Sequence, residues 1–416
     1  MVKIKAFKGL RPRPELAVRI ASLPYDVIDS DEARQAAVGN PYSYLHVVKS
    51  EIDLAPEVDH YAEKVYLKAA ENLQQMWARG WLLQDGQPSF YIYRQRMDQH
   101  VQTGLVVTAH IQDYLDQKIR IHELTRAKKE QDRINHVRYT QANTEPVFLT
   151  YPARKEIDTI INDFCTSQPP VYHFLADDKI QHTVWIIDNQ ALILELIALF
   201  EQIPYAYVAD GHHRTKSAVM VGEQLRQENV KHTGSEEYNW FLAVYFPHDQ
   251  LQILPYNRVV KDLHGLTSAE FLHKVAEKFK IQPAADRKQA EPQRKHQFGL
   301  YLDHKWYAME ARTGTFNTDN PEAALDVAIL QANLLAPVLN IGDPRTDERI
   351  DFVGGIRGLA ELERRVNSGE MAIAFALYPT QIDQLFAIAD AGKIMPPKST
   401  WFEPKLRSGL IIHLLK

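Results

Sequence analysis

Apolar positions recur at helical spacing through residues 59–81, where Tyr61, Val65, Ala69, Leu73, Met76 and Trp77 fall on one face and Gly80 supplies a stop. The period then drops to two. "SFYIYRQRM" and "VQTGLVVTAHI", separated by a polar turn, predict a β-hairpin. From Ile119 to His136 nearly every residue is polar or charged, and Leu124, Ala127, Ile134 and Val137 make a thin apolar stripe on a predicted helix. Farther on, "HTVWIID" reads as a strand and "ALILELIALFEQI" as a helix. A strand over Tyr205–Ala209 then leads into a helix over Thr215–Leu225, and "WFLAVYF" and "LQILPYNRVV" return to strand.

A third region opens near residue 261 with a short helix, a polar stretch "QPAADRKQAEPQRKHQ" that reads as a loop, the strand "FGLYLD" and helices around "ALDVAILQANLLAPVL". It closes on the proline-rich "MPPKSTWFEPKLRSG". The alternation predicts an α/β or α+β protein. It divides into an N-terminal α/β extension (1–110), a central core (111–260) and a C-terminal α/β region (261–416). No fixed-period repeat is present, which argues against solenoids and propellers.

Composition narrows the class. A chain of 416 residues with 45% hydrophobic and 24% charged residues matches an ordinary globular protein, and its length suits two or three domains. The net charge of −5 gives no general attraction to nucleic acid or acidic membranes. The basic opening "MVKIKAFKGLRPRPEL" lacks the apolar core of a signal peptide, and no stretch is apolar enough to span a bilayer, so a cytoplasmic protein is expected. One cysteine, Cys165, rules out an internal disulfide and a multi-thiolate zinc site; it reads as a small apolar filler.

Candidate chemistry sits in three places. In "YVADGHHRTKSA" a strand meets Gly211, His212, His213 and Arg214 where the helix begins. Unpaired N–H groups, a glycine that admits close approach and a guanidinium there suit a phosphate. A metal on Asp210 with one histidine is a second reading, and Asp210 as a plain helix cap a third. The pair His122-Glu123 lies where a strand meets the charged helix; Glu123 there is either a proton acceptor or the favourable acid of a first helical turn. In "PPKSTWF", Lys398, Ser399 and Thr400 offer a cation, hydroxyls and N–H groups to a phosphate, or form a solvated loop.

Taken in order, the His-Glu pair, the strand ending in Val-Ala-Asp-Gly-His-His-Arg and the late Pro-Lys-Ser-Thr resemble the ParB/sulfiredoxin superfamily. Within it they resemble the archaeal ADP-dependent free-serine kinases. With "PYDVID", "HELTRAKKEQDR" and "MPPKSTWFEPKLRSGL", the whole chain is also similar to a large bacterial family named after the ParB group. The resemblance implies a ParB/sulfiredoxin-like mixed core and phosphoryl transfer between an adenine nucleotide (ADP or ATP), with Mg²⁺, and free serine or O-phosphoserine, in either direction. It implies Glu123 and Asp210 as catalytic residues, Asp210 also being the candidate Mg²⁺ ligand. Gly211, His212, His213, Arg214, Lys398, Ser399 and Thr400 would bind nucleotide or phosphate, supported by His122, Thr125, Lys129 and Arg133. The 111–260 core would bind the nucleotide and the 261–416 region would complete the site; Tyr25, Asp26 and Asn40 are candidates to close the cleft, or plain turn residues. Sulfiredoxins require a cysteine where His212 and His213 stand, which argues against sulfinic-acid reduction. A ParB-like nucleotide-binding regulator or DNA-binding protein is the alternative. DNA binding is the weaker form of it, because the helix after Arg214 leads to a strand rather than to a second DNA-reading helix and the net charge is negative.

Overall fold

The alternation at residues 89–111 becomes an antiparallel hairpin near the middle of a nine-stranded mixed sheet in the computed structural model, which describes residues 1–416. In chain order its strands are β1 (Ile4–Lys5), β2 (Phe90–Met97), β3 (His100–His110), β4 (Ile119–Arg120), β5 (Val147–Tyr151), β6 (Tyr172–Leu175), β7 (Gln181–Ile187), β8 (Ala206–Asp210) and β9 (Trp240–Pro247). Across the sheet they run β4-β8-β5-β9-β3-β2-β7-β6, and β1 pairs with β3. Two pairs are parallel, β4 with β8 and β5 with β9; the others are antiparallel, so the protein is mixed α/β.

The five longest helices of the same unit are α1 (Glu63–Ala78), α2 (Ala127–Thr140), α3 (Lys155–Ser167), α4 (Gln190–Phe200) and α5 (His212–Glu228). Side chains from the strands, among them Ile92, Leu105, Val107, Leu149 and Val208, share one apolar core with Ile157 and Ile161 of α3 and Ile193 and Leu196 of α4. Cys165 packs at the margin of that core, and burial pushes its thiol up to about 11, as suits an inert filler. On α1 the expected face is buried at Val65, Ala69, Leu73 and Met76, whereas Tyr61 precedes the helix and Trp77 is exposed.

The charged helix departs from its predicted stripe. Leu124 is exposed and precedes α2, while Arg133 and His136 are buried beside Ile134. Because α2 packs against both α1 and α5, its inward positions must be covered whatever their polarity, and both polar side chains have found partners for part of their surface. The Arg133 guanidinium lies 4.0 Å from the Tyr25 ring centroid and pairs with Asp132 at 2.8 Å. His136 Nε2 donates to the Val47 carbonyl at 3.0 Å.

The chain does not divide at residue 110. His110 at the end of β3 pairs with Trp240 of β9, so the first hundred residues and the next hundred and forty share one sheet. One compact unit comprises Met1–Leu251 together with Pro404–Lys416, and a second comprises Gln252–Glu403. The second unit contains a six-stranded sheet of β10 (Tyr256–Val260), β11 (Phe279–Ala284), β12 (Gln297–Leu302), β13 (Lys305–Ala311), β14 (Ile350–Gly354) and β15 (Ile373–Leu377). Its order is β11-β13-β12-β15-β10-β14, and every pair is antiparallel. Helices α6 (Ser268–Lys278), α7 (Gly358–Asn367) and α8 (Ile382–Asp390) complete it.

Part of the stretch read as a loop, Gln282–Ala284, is the end of β11, and Arg287–Ala290 forms a helical turn. Strand β11 is at the sheet edge, where Pro283 removes no ladder bond that a central strand would need. The helix over Asp326–Leu330 passes into a π-helical turn, Gln331–Leu335. No helix is long and apolar enough to cross a membrane.

Gly222 tests the packing of α5. A Cβ at this position would lie 2.5 Å from the Tyr238 carbonyl oxygen and 2.9 Å from Ile111 Cδ1. Gly222→Ala should therefore destabilise the fold by about 1–3 kcal/mol although alanine is the better helix former. Thermal unfolding of the two proteins checks this; a higher midpoint for the variant would mean that the contact relaxes freely.

Candidate functional site at the ends of two parallel strands

Strands β4 and β8 run parallel, with Ile119 opposite Ala206 and Arg120 opposite Tyr207, so the chain leaves both at the same end of the sheet. After β4 comes His122-Glu123; after β8 comes the turn into α5. The carboxyl ends of adjacent parallel strands are where open α/β sheets gather their ligand-binding loops. A register shift between Val208 and Asp210 bends β8 at this point. Gly211 then turns the chain with φ +90°, a conformation closed to most L side chains, and a Cβ there would meet the Arg214 guanidinium at 3.0 Å.

This geometry joins two motifs far apart in sequence. The His122 and His212 rings meet edge to face with centroids 4.5 Å apart. One donor atom from each of His122, Glu123 and His212 lies within 4.8 Å of the other two. Both histidines are buried, and Glu123 is half-buried. Glu123 lies in the loop ahead of α2, which starts at Ala127, so it is not an acid of the first helical turn. Burial lowers the His122 imidazole to about 4, opposed by the Asp210 charge and by a backbone hydrogen bond with Val208. Burial and the neighbouring His122 hold His212 well below the ordinary range.

His213 faces α2. Its Nε2 accepts a hydrogen bond from the Arg126 N–H at 3.0 Å, and burial, aided by the charge of Lys129, lowers it to about 4. Thr125 donates its hydroxyl to Glu130 at 2.6 Å. Arg214 turns inward. It donates through Nη1 to the Pro146 carbonyl at 2.6 Å and through Nη2 to Asp210 at 3.1 Å, with Asp26 at 3.8 Å. Its side chain is only 6% exposed, so it braces the turn from below rather than standing open to solvent.

Around Arg214 lies a cluster of charges that the sequence reading only partly anticipated. Lys405 Nζ is 3.7 Å from Asp210. Burial alone would raise the Asp210 carboxyl, but Lys405 and Arg214 hold it well below the usual carboxylate range. Glu145 accepts from the Tyr25 N–H at 3.0 Å and from Ser408 Oγ at 2.9 Å, and Arg133 stands 3.8 Å away. Its carboxyl is raised by burial, against the pull of Arg214 and Arg133. Asp26 was anticipated near the cleft; Glu145 and Lys405 were not. The run "PKLRSGL" around Lys405 carries the only hint, as a basic segment at the end of the chain.

Lys398, Ser399 and Thr400 belong to the second unit. Lys398 is exposed, has φ +56° and places Nζ 5.2 Å from the Tyr256 ring centroid, while its carbonyl accepts from Arg258 at 3.0 Å. Ser399 is buried; its hydroxyl donates to the Pro396 carbonyl at 2.6 Å and its carbonyl accepts from Thr380 at 2.8 Å. Within this unit the Ser399 hydroxyl therefore shapes its own loop.

These features define a mixed α/β protein with a histidine- and carboxylate-lined turn at the ends of parallel strands. The sequence pattern of a family described as "Protein of unknown function (DUF1015)" matches residues 4–328, and the chain belongs to that family. Among curated proteins none matches it. Similar solved structures include a mutant free serine kinase in complex with AMP, at 13% identity over 74% of this chain and 92% of that chain, with a TM-score of 0.35. A conserved hypothetical protein from Pyrococcus furiosus matches at 12% identity over 74% of this chain and 95% of its own, with a TM-score of 0.34. SbnI with a C-terminal truncation, from Staphylococcus aureus, matches at 11% identity over 74% and 87%, with a TM-score of 0.38.

Two measurements test the charged floor of the site. Sequence alone suggests that Arg214→Ala would spare the fold, but its inward contacts predict the reverse. Removing one partner of a buried ion pair should cost about 3–5 kcal/mol, read by denaturant unfolding. The second concerns His136, which burial lowers from 6.5 to about 4. The unfolded chain takes up this proton first, so the contribution of His136 is fully present above pH 6.5 and declines as pH falls toward 4. Unfolding midpoints across that window should fall less steeply for His136→Gln than for the parent.

Proposed function

We propose that the protein transfers a phosphoryl group between an adenine nucleotide and the hydroxyl of free serine or a similarly small molecule, and that the same groups serve the reverse reaction on O-phosphoserine. The observation that carries this reading is the meeting of the His122-Glu123 and Asp210–Arg214 motifs at the ends of β4 and β8. In the forward direction the Glu123 carboxylate takes the proton of the attacking hydroxyl as its oxygen bonds to phosphorus and the nucleotide oxygen departs. The first-turn N–H groups of α5 hold phosphate oxygens, and Gly211 lets them approach. Arg214, paired with Asp210, fixes this turn and adds positive potential beneath it. His213 and Lys129 border the same turn.

Magnesium ordinarily accompanies nucleotide phosphates and supplies charge neutralisation there. Asp210 fits poorly as its ligand, because Oδ2 already faces Arg214 at 3.1 Å and Lys405 at 3.7 Å. Its charge is balanced within the protein. Asp210 is better assigned to holding those two cations in place.

The full-length protein, incubated with Mg²⁺ and combinations of serine, O-phosphoserine, AMP, ADP and ATP and followed by phosphorus NMR, should move phosphate between one nucleotide and serine. Absence of transfer in every combination would overturn the reading. Glu123→Gln should slow single turnover by roughly 10²- to 10⁴-fold while nucleotide binding, followed by calorimetry, persists. Parent-like turnover in this variant would remove Glu123 from the chemistry.

A further inference from the structure

The poor fit of Asp210 to a metal turns attention to the three donors beside it. We infer that His122, Glu123 and His212 form a binding site for a first-row divalent transition ion such as Mn²⁺, Fe²⁺, Co²⁺ or Zn²⁺. Their donor atoms lie within 4.8 Å of one another, whereas a tetrahedral ion with bonds of 2.0–2.2 Å sets its donors roughly 3.3–3.6 Å apart, a difference that small side-chain rotations can close. Two imidazoles with one carboxylate favour such an ion over Mg²⁺ or Ca²⁺, which prefer oxygen donors throughout.

Two further observations are independent of that spacing. His212 is only 7% exposed, and its buried Nε2 makes no hydrogen bond, an arrangement that native interiors rarely tolerate without a role for the atom. His122, for its part, has a backbone hydrogen bond with Val208, the kind of outer contact that fixes the orientation of a metal-ligating imidazole. The backbone supports both rings: His122 lies two residues past the end of β4, and His212 is the first residue of α5 behind the Gly211 turn.

Three protein donors leave at least one coordination position for a small molecule, as in catalytic rather than structural metal sites. If the phosphoryl-transfer reading holds, the position would take a phosphate or hydroxyl oxygen, and the second oxygen of Glu123 would stay available to the hydroxyl proton. The ion site itself does not depend on that reading.

The test uses the full-length protein, stripped with a chelator and titrated with CoCl₂ and then MnCl₂ alone, with no nucleotide or amino acid present. One equivalent of Co²⁺ should bind per chain and give visible d–d absorption with the intensity of a four- or five-coordinate site. Glu123→Gln and His212→Asn should each weaken binding at least roughly tenfold, the loss known for merely supporting contacts. His213→Gln should retain it, because His213 faces Arg126. Glu123 is half-buried and glutamine is isosteric, so this variant keeps the test valid if His212→Asn unfolds. Failure of the parent to bind either ion, or parent-like affinity in Glu123→Gln, would overturn the site. Ion binding without phosphoryl transfer would sink the proposed function alone, and transfer without ion binding would sink this inference alone.

Discussion

The Arg214 guanidinium is the pin on which the local architecture turns. It reaches back from the first turn of α5 to the last residue of β8 and to the Pro146 carbonyl, and so ties helix to sheet across a glycine that has no side chain to help. With Asp26 and Glu145 near it, the cation is buried but not uncompensated. Lys405 in turn gives Asp210 a second counter-charge. Each member makes burial tolerable for the next, which is the condition under which charged groups persist inside a protein. The positions of His212 and His213, one buried beside His122 and the other turned toward Arg126, follow from where this pin sets the helix.

Regular elements with a clean period were legible from the chain. The hairpin at residues 89–111, the helix around Leu73 and the strand-to-helix turn at Gly211 all follow from short-range pattern and from one glycine. Residue pattern failed where burial is decided by more than one neighbour. The α2 helix looks solvent-facing from its charges, yet it is covered by α1 and α5, and Arg133 and His136 are stabilised by Tyr25 and Val47, which no local window contains. Likewise the strand character of Gln282–Ala284 was hidden because an edge position admits residues that a central strand would exclude.

The candidate site was legible in its parts but not in its roles. Its nucleating motifs, His122-Glu123 and Asp210–Arg214, are recognisable as text, and parallel pairing of β4 with β8 explains why they meet. What text could not convey is direction. Arg214 reads as a fork aimed at an anion and is in fact aimed inward; Asp210 reads as a metal ligand and is engaged by two cations. Glu145 carries no motif and Lys405 only the tail of "MPPKSTWFEPKLRSGL"; their importance comes from what surrounds them.

The return of Pro404–Lys416 to the first unit bears on the order in which the chain is made. Everything needed for the nine-stranded sheet leaves the ribosome by residue 251, but Lys405, Arg407 and Ser408 follow only after the whole second unit. Until then Asp210 lacks one of its two cations and Glu145 lacks the Ser408 hydroxyl. The strands of the first sheet are thus all made before the groups that complete its charged centre, which residues 404–416 supply. Synthesis therefore delivers Lys405 and Ser408 to this charged centre only after the whole second unit.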